Sequence, residues 1–124
     1  FGEISLLTNI AKPTTAVVTI IGSSHIGELG SRENILKAKL EILEGLNQEG
    51  SLIINNDNDL LNLWNKENTD NHKHITYGID NESILNAEDI HIMENGSSFE
   101  INVNNSSCRV NFIGFGVFSS SFSL

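Results

Sequence analysis

A chain of 124 residues has the length of one domain, with room for a single hydrophobic core and not for two. Its formal net charge of −9 and pI near 4.7 exclude the clustered Lys and Arg that a nucleic-acid or anionic-membrane surface requires. The single cysteine, Cys108, excludes an internal disulfide and fits a reducing compartment. With no cationic start leading into an apolar run, and no stretch near the roughly 20 apolar residues of a membrane span, a cytoplasmic setting is expected.

Residues 2–11, GEISLLTNIA, carry Ile4, Leu7 and Ile10 at helical spacing, and Pro13 ends that helix. TTAVVTIIG follows, a nearly continuous β-branched run that predicts a strand buried on both faces of a parallel sheet. After the loop SSHIGELG, Ser31 is the expected N-cap of a helix over about 32–46, with Gly45 and Gly50 at its exit. SLIIN (51–55) predicts a second short buried strand, DNDLLNLWNK (57–66) a helix with Leu60, Leu61 and Trp64 inward, and HITYG a third strand. Helices alternating with strands in this way give a parallel sheet with crossover helices. Beyond about residue 80 the period changes, and alternating runs broken at Asn95-Gly96 and Asn104-Asn105 predict a small antiparallel meander. The expected fold is therefore α/β, a partial parallel sheet followed by the meander. Its divisions are 1–80 for a partial α/β domain, 81–112 for an antiparallel extension of that domain, and 113–124 for a tail.

One residue breaks the pattern. In ENILKAKLEILEGL (33–46), a turn of about 100° per residue gathers Ile35, Leu36, Ala38, Ile42, Leu43 and Leu46 on one face, and Glu33, Lys37, Glu41 and Glu44 on the other. Lys39 falls inside the apolar stripe. Burying an unpaired ammonium costs several kcal/mol, so Lys39 is neutral, paired with a carboxylate, chemically changed, or laid along the core with its head in water. A neutral lysine amine adds carbon dioxide to become a carbamate, an anion able to hold a metal.

Other candidates carry less. His25 stands in the loop after a buried parallel strand, and in open α/β sheets ligands bind at the carboxyl ends of the strands. Glu28 is three residues on and a helix N-terminus is near, yet a loop histidine without a role is the commoner case. His72 and His74 read as surface residues on one strand face, because two histidines without a third ligand seldom hold zinc. Asn55, Asn56 and Asp57 end a strand and open a helix, which makes Asp57 or Asn58 an expected N-cap. The sequence contains no G-x-x-x-x-G-K-[ST] phosphate loop, no G-x-S-x-G elbow and no cysteine with a placed base.

The block PTTAVVTIIGSSHIGELGSRENILKAKLEILEGL, followed by GSLIINNDND, resembles the central ATP-binding domain of the Mur ligases. Among them it is most similar to the type that joins D-alanyl-D-alanine to UDP-N-acetylmuramoyl-tripeptide. The resemblance runs from about Phe1 to Ile79 and weakens through the meander. It rests on the opening GEISLL and on the spacing of His25, Gly30-Ser31, Ala38-Lys39 and the Asn-x-Asp of Asn55 and Asp57. Folylpolyglutamate synthetases share the architecture and rank second, since their equivalent helix reads differently.

This resemblance implies ATP and Mg2+ as cofactors, with His25 helping to bind one magnesium ion and Lys39, as a carbamate, steadying a second. It implies cofactor contacts at Asn55 and Asp57, which otherwise serve as a helix cap. The implied reaction activates a carboxylate as an acyl phosphate, which the incoming amine attacks. Departures from the family pattern are equally informative. The phosphate loop and the magnesium-binding Glu of the family precede the point matching Phe1. The domains that hold the UDP sugar and deliver the amine have no counterpart here. Where the family carries Gly-x-His-Asn-x-x-Asn, this chain has GFGVFSSSFSL. The expectation is a piece of an amide ligase of peptidoglycan precursor synthesis that does not catalyse by itself. The alternatives are a stand-alone binding or regulatory module or gene relic, and a bare structural domain. A half-sheet leaves edges uncovered, so a marginal fold or a homo-oligomer is expected.

Overall fold

The computed structural model describes residues 1–23, 26–67, 70–103 and 105–114. Four expectations lie outside that description: His25, the side chain of Glu28, Asn104 of the Asn104-Asn105 break, and the tail beyond Gly114. The described residues form one six-stranded sheet whose spatial order follows the chain. Strands β1 (Thr15–Val18), β2 (Ser51–Asn55) and β3 (Lys73–Gly78) run parallel. Strand β4 (Leu85–Met93) joins β3 in parallel through Tyr77 with Leu85 and Gly78 with Asn86, and then pairs antiparallel with β5 (Gly96–Val103). Strand β6 (Ser106–Ile113) completes the antiparallel part. The α/β fold read from the sequence, a parallel half with crossover helices followed by a meander, is the one observed.

Helix α1 (Glu3–Ala11) precedes β1, the short α2 (Ile26–Leu29) and α3 (Arg32–Leu40) lead to β2, and α4 (Asp59–Glu67) leads to β3. Ala16 and Val18 of β1 and Leu52 and Ile54 of β2 alternate into a core completed by Ile21, Ile35 of α3, Leu46 and Leu61 of α4. Leu36, Ile42, Leu43, Leu60 and Trp64 pack around it. Each fully buried Leu or Ile stabilises such a core by about 1.5–3 kcal/mol. Because both crossover helices contribute to the same cluster, one face of β1 and β2 is covered. The expectation that β1 is buried on both faces is therefore corrected: Thr15 and Val17 alternate outward, and Val17 is 50% exposed.

Two other readings are also revised by tertiary contacts. The helix expected to reach about residue 46 ends as α-helix at Leu40 and tightens into a 3₁₀ turn, Glu41–Glu44. At that turn the Glu41 carboxylate accepts the backbone N–H of Gly2 and of Ser5, the Ser5 hydroxyl donates to Glu44, and the Thr8 hydroxyl donates to the Ile42 carbonyl at 3.0 Å. Helix α1 thus docks through a polar seam in which Thr8 is 5% exposed, leaving Leu7 at 65% and Ile10 at 73%. Spacing finds the helix, but it does not show which stripe faces inward.

In the meander, Gly96 sits at φ +154° where an added Cβ would lie 2.0 Å from the Phe112 carbonyl oxygen, so glycine is required there. A bulge between Glu88 and His91 holds Asp89 at φ 48° and aims its carboxylate at Arg109 of β6 and at His91. Among the described residues no helix is long and apolar enough to cross a membrane.

Candidate functional site

The carboxyl ends of β1, β2 and β3 lie side by side, where ligands bind in open α/β sheets. Three side chains converge on the segment leaving β1. Lys39 donates from Nζ to the Ile20 carbonyl at 2.6 Å. Arg32 donates from Nη2 to the Ile21 carbonyl at 2.9 Å, and Asn58 donates from Nδ2 to the same carbonyl at 3.3 Å. Arg32 also grips Asp59 with both nitrogens, at 2.8 and 2.5 Å, tying the start of α3 to the start of α4. That hydrogen-bonded contact raises the guanidinium's affinity for its proton and holds the Asp59 carboxyl below its ordinary value.

The opening anomaly of Lys39 is thereby located. Lys39 is half-buried, and its nitrogen reaches the segment leaving the carboxyl end of β1. Ser31 caps α3 as expected, accepting the Asn34 N–H at 3.2 Å.

The Asn55–Asn58 run uses each of its side chains. Asn55 Oδ1 accepts the Asp57 N–H at 3.0 Å, closing a tight local turn. Asn56 donates to the Glu82 carbonyl at 2.8 Å and accepts from Asn62 at 2.9 Å. Asn58 is the residue that caps α4, its Oδ1 accepting the Leu61 N–H at 3.3 Å. The carboxylate of Asp57 leaves its own segment altogether and accepts the backbone amides of Ile79, Asp80 and Asn81. Burial pushes that carboxyl up, and the three amides with the Asn81 side chain outweigh it, holding Asp57 below its ordinary value.

Among the described residues, no three His, Cys, Asp or Glu side chains stand together as a metal-ion site. Of the two residues expected at such a site, Lys39 reaches the rim and His25 lies outside the description. Arg32 and the asparagine bridges were not singled out from the sequence. For Arg32 a signal existed, because a cation in the first turn of a helix opposes the helix dipole and calls for a partner elsewhere.

A second cluster occupies the other end of the sheet and corrects the reading of His72 and His74 as surface residues. Their side chains are 15% and 16% exposed and both face Asp70 Oδ1, His72 through Nδ1 at 3.3 Å and His74 through Nε2 at 3.0 Å. His74 Nδ1 shares a hydrogen bond with Asn65 Oδ1 at 2.6 Å, and the ring stacks on Trp64 with centroids 5.5 Å apart. Burial pushes the Asp70 carboxyl up, while the His72 amide and the His74 ring bring it to a value below the ordinary one. His72 precedes β3 and His74 lies within it; Asn65 and Trp64 of α4 place His74, and Asp70, beyond α4, faces both rings.

The sequence matches the Mur ligase middle domain over residues 1–119. A UDP-N-acetylmuramoyl-tripeptide--D-alanyl-D-alanine ligase of Bacillus subtilis (strain 168) is 42% identical over 100 residues, covering 81% of this chain and 21% of the relative. A ligase of the same name from Synechocystis sp. is 43% identical over 79 residues, 64% of this chain and 17% of the relative. The crystal structure of MurF from Acinetobacter baumannii aligns with a TM-score of 0.78 at 26% identity, over 92% of this chain and 25% of that one. MurF from Thermotoga maritima, solved in complex with ADP, aligns with a TM-score of 0.77 over 93% of this chain and 26% of that one, a likeness of fold at 23% identity. The chain spans about a fifth of the length of these curated relatives. A parallel half-sheet that turns antiparallel at β4, a matching family model and relatives that share one name lead to a single conclusion: the chain belongs to the Mur ligase family, as part of its middle domain.

Proposed function

We propose that this chain serves within an ATP-dependent amide ligase of peptidoglycan precursor synthesis, one that joins D-alanyl-D-alanine to UDP-N-acetylmuramoyl-tripeptide through an acyl phosphate. Residues 1–80 and 81–112 are two parts of one domain in this reading, which works in the cytoplasm with ATP and Mg2+. The family match and the names of the relatives support it. The observation that carries it is Lys39, whose nitrogen stands 2.6 Å from the carbonyl oxygen of Ile20 at the carboxyl end of β1. There the Lys39 amine attacks the carbon of carbon dioxide and releases a proton. The resulting carbamate keeps one N–H for Ile20 and gains two oxygens. With His25, it would hold magnesium, and Asn55 and Asp57 stand at the nucleotide end of β2. Bound there, magnesium neutralises charge on the nucleotide phosphates.

The test is carbon NMR of the chain equilibrated with 13C-bicarbonate. A carbamate resonance that vanishes in Lys39→Met is expected, and no such resonance at any bicarbonate concentration overturns the role of Lys39. A companion assay incubates the chain with ATP, Mg2+, the muramoyl tripeptide and D-alanyl-D-alanine. No turnover is expected from this segment alone; measurable ligation would refute the view that it works only within the larger ligase.

A further inference from the structure

Asp57 stands at the rim just described, and its carboxylate is already engaged by four donors. Oδ2 accepts the Ile79 N–H at 2.6 Å, while Oδ1 accepts Asp80 N–H at 3.1 Å, Asn81 N–H at 2.8 Å and Asn81 Nδ2 at 3.3 Å. An ionised carboxylate offers about four lone-pair sites, two on each oxygen; Oδ1, with three donors, is fully used, and Oδ2, with one, keeps a site open. A metal ion bound through Oδ1 would have to displace one of these donors. The backbone also makes room for the contact, because a Cβ on Gly78 would lie 2.8 Å from Asp57 Oδ1.

The contact reaches the turn between β3 and β4, strands that pair through Tyr77 with Leu85 and Gly78 with Asn86. Asp57 leaves β2, and the turn it grips leaves β3 for β4. Asn56 braces the same link by donating to the Glu82 carbonyl at 2.8 Å, and Thr76 Oγ1 accepts the Ile84 N–H at 3.0 Å. Residues 79–84 are thus held by polar side chains from β3 and from the segment leaving β2, at the place where the sheet changes from parallel to antiparallel. The turn carries exposed Asp80 and Asn81 at the carboxyl rim.

We infer that Asp57 is a positioning residue: it fixes the 79–81 turn at the nucleotide rim and does not itself hold the nucleotide or the metal. The location of the nucleotide rests on the function proposed above; the grip on the turn does not. In Mur ligase terms, Asp57 supports the shape of the rim on which Asp80 and Asn81 stand.

The test uses amide-resolved NMR of the whole 124-residue chain and of Asp57→Ala, Asp57→Asn and Gly78→Ala. In Asp57→Ala and Gly78→Ala, exchange at the amides of 79–81 is expected to rise about tenfold, as when a hydrogen bond that resists local opening is removed, while the amides of β1 and β2 keep their protection. In the unaltered chain those three amide signals move together on acidification, with one midpoint below the ordinary carboxylate value, and Asp57→Asn abolishes the movement. Adding Mg2+ with ADP leaves that midpoint in place. Unchanged exchange and shifts at 79–81 in Asp57→Ala and Gly78→Ala would overturn the inference. So would a Mg2+-dependent drop of the midpoint accompanied by release of the three amides, which marks Asp57 as a ligand. Failure of the proposed function is distinguishable: Mg2+ and ADP then perturb no signal near Ile20, Lys39 or Asp80, and the exchange result stands.

Discussion

Replacing Gly45 with alanine would drive a methyl group into the backbone of α1. An added Cβ would lie 2.3 Å from both the carbonyl carbon and oxygen of Thr8 and 2.6 Å from the Asn9 nitrogen, whereas ordinary contact begins near 3.4 Å. Gly45 has φ −110°, a conformation open to alanine, so the whole conflict is with the neighbouring helix. Helix α1 must retreat by about 1 Å. That shift breaks the buried bond from the Thr8 hydroxyl to the Ile42 carbonyl and loosens the grip of Glu41 on Gly2 and Ser5. Overpacking of this kind costs about 1–3 kcal/mol, and the cost is capped because a helix of nine residues can leave its seat. Once undocked it is too short to persist alone. We expect a loss of about 2 kcal/mol, a fall of about 8 °C in Tm, and exchange at the α1 amides close to that of a free peptide while β2 remains protected. Calorimetry with hydrogen exchange measures both. An unchanged Tm with fully protected α1 amides would refute the claim that Gly45 is where α1 seats.

Ser31→Ala removes the hydroxyl that accepts the Asn34 N–H and should cost about 1 kcal/mol, read as a lower urea midpoint with an unchanged slope. Arg32→Met removes an exposed bidentate pair with Asp59 and a donor to Ile21; the drop in Tm should be larger at low salt and shrink at high salt, and a salt-independent drop would mean the Ile21 bond alone matters. Asp57 and Asp70 are both held below the ordinary aspartate value of 3.8. Their contribution is present above that value and is lost as pH falls through the folded values. Stability should therefore decline below about pH 4, with a shallower decline in Asp57→Asn; equal pH slopes for the two proteins would remove Asp57 from the account.

The order of elements was legible because it is written in local chemistry: β-branched runs for β1 and β2, the Asn95-Gly96 turn for the hairpin, Ser31 before an apolar period. The end of α3 was not. Its break at Glu41 depends on amides of Gly2 and Ser5, distant in the chain, and no periodicity reports a partner that far away. His72 and His74 were misread for a related reason. Both face Asp70, and Asn65 and Trp64 of α4 close on His74, residues near in sequence that meet only in the folded chain. Lys39 was legible as a misfit, since a cation in an apolar stripe is visible by counting. Where its nitrogen goes required the strand in front of it. The bonds of Asp57 to 79–81 cross from one strand exit to the next, and a helix-cap rule looks only forward along its own helix.

The change from parallel to antiparallel pairing also divides the chain in time. Met93 pairs with Gly96 and Val103 with Ser106, so β4, β5 and β6 close on neighbours already at hand in the chain. Thr15 must find Ser51, and Ser51 must find Lys73, each across a helix that has to form and pack. Loop closure makes such non-local pairings slow. The meander is therefore the quick half of the molecule and the parallel strands the slow half, joined in parallel register at Tyr77 and Gly78. Until β1 finds β2, the apolar side chains of Val17 and Val18 are open to any strand that arrives first, so the half bearing Lys39 is also the half most exposed to mispairing during folding.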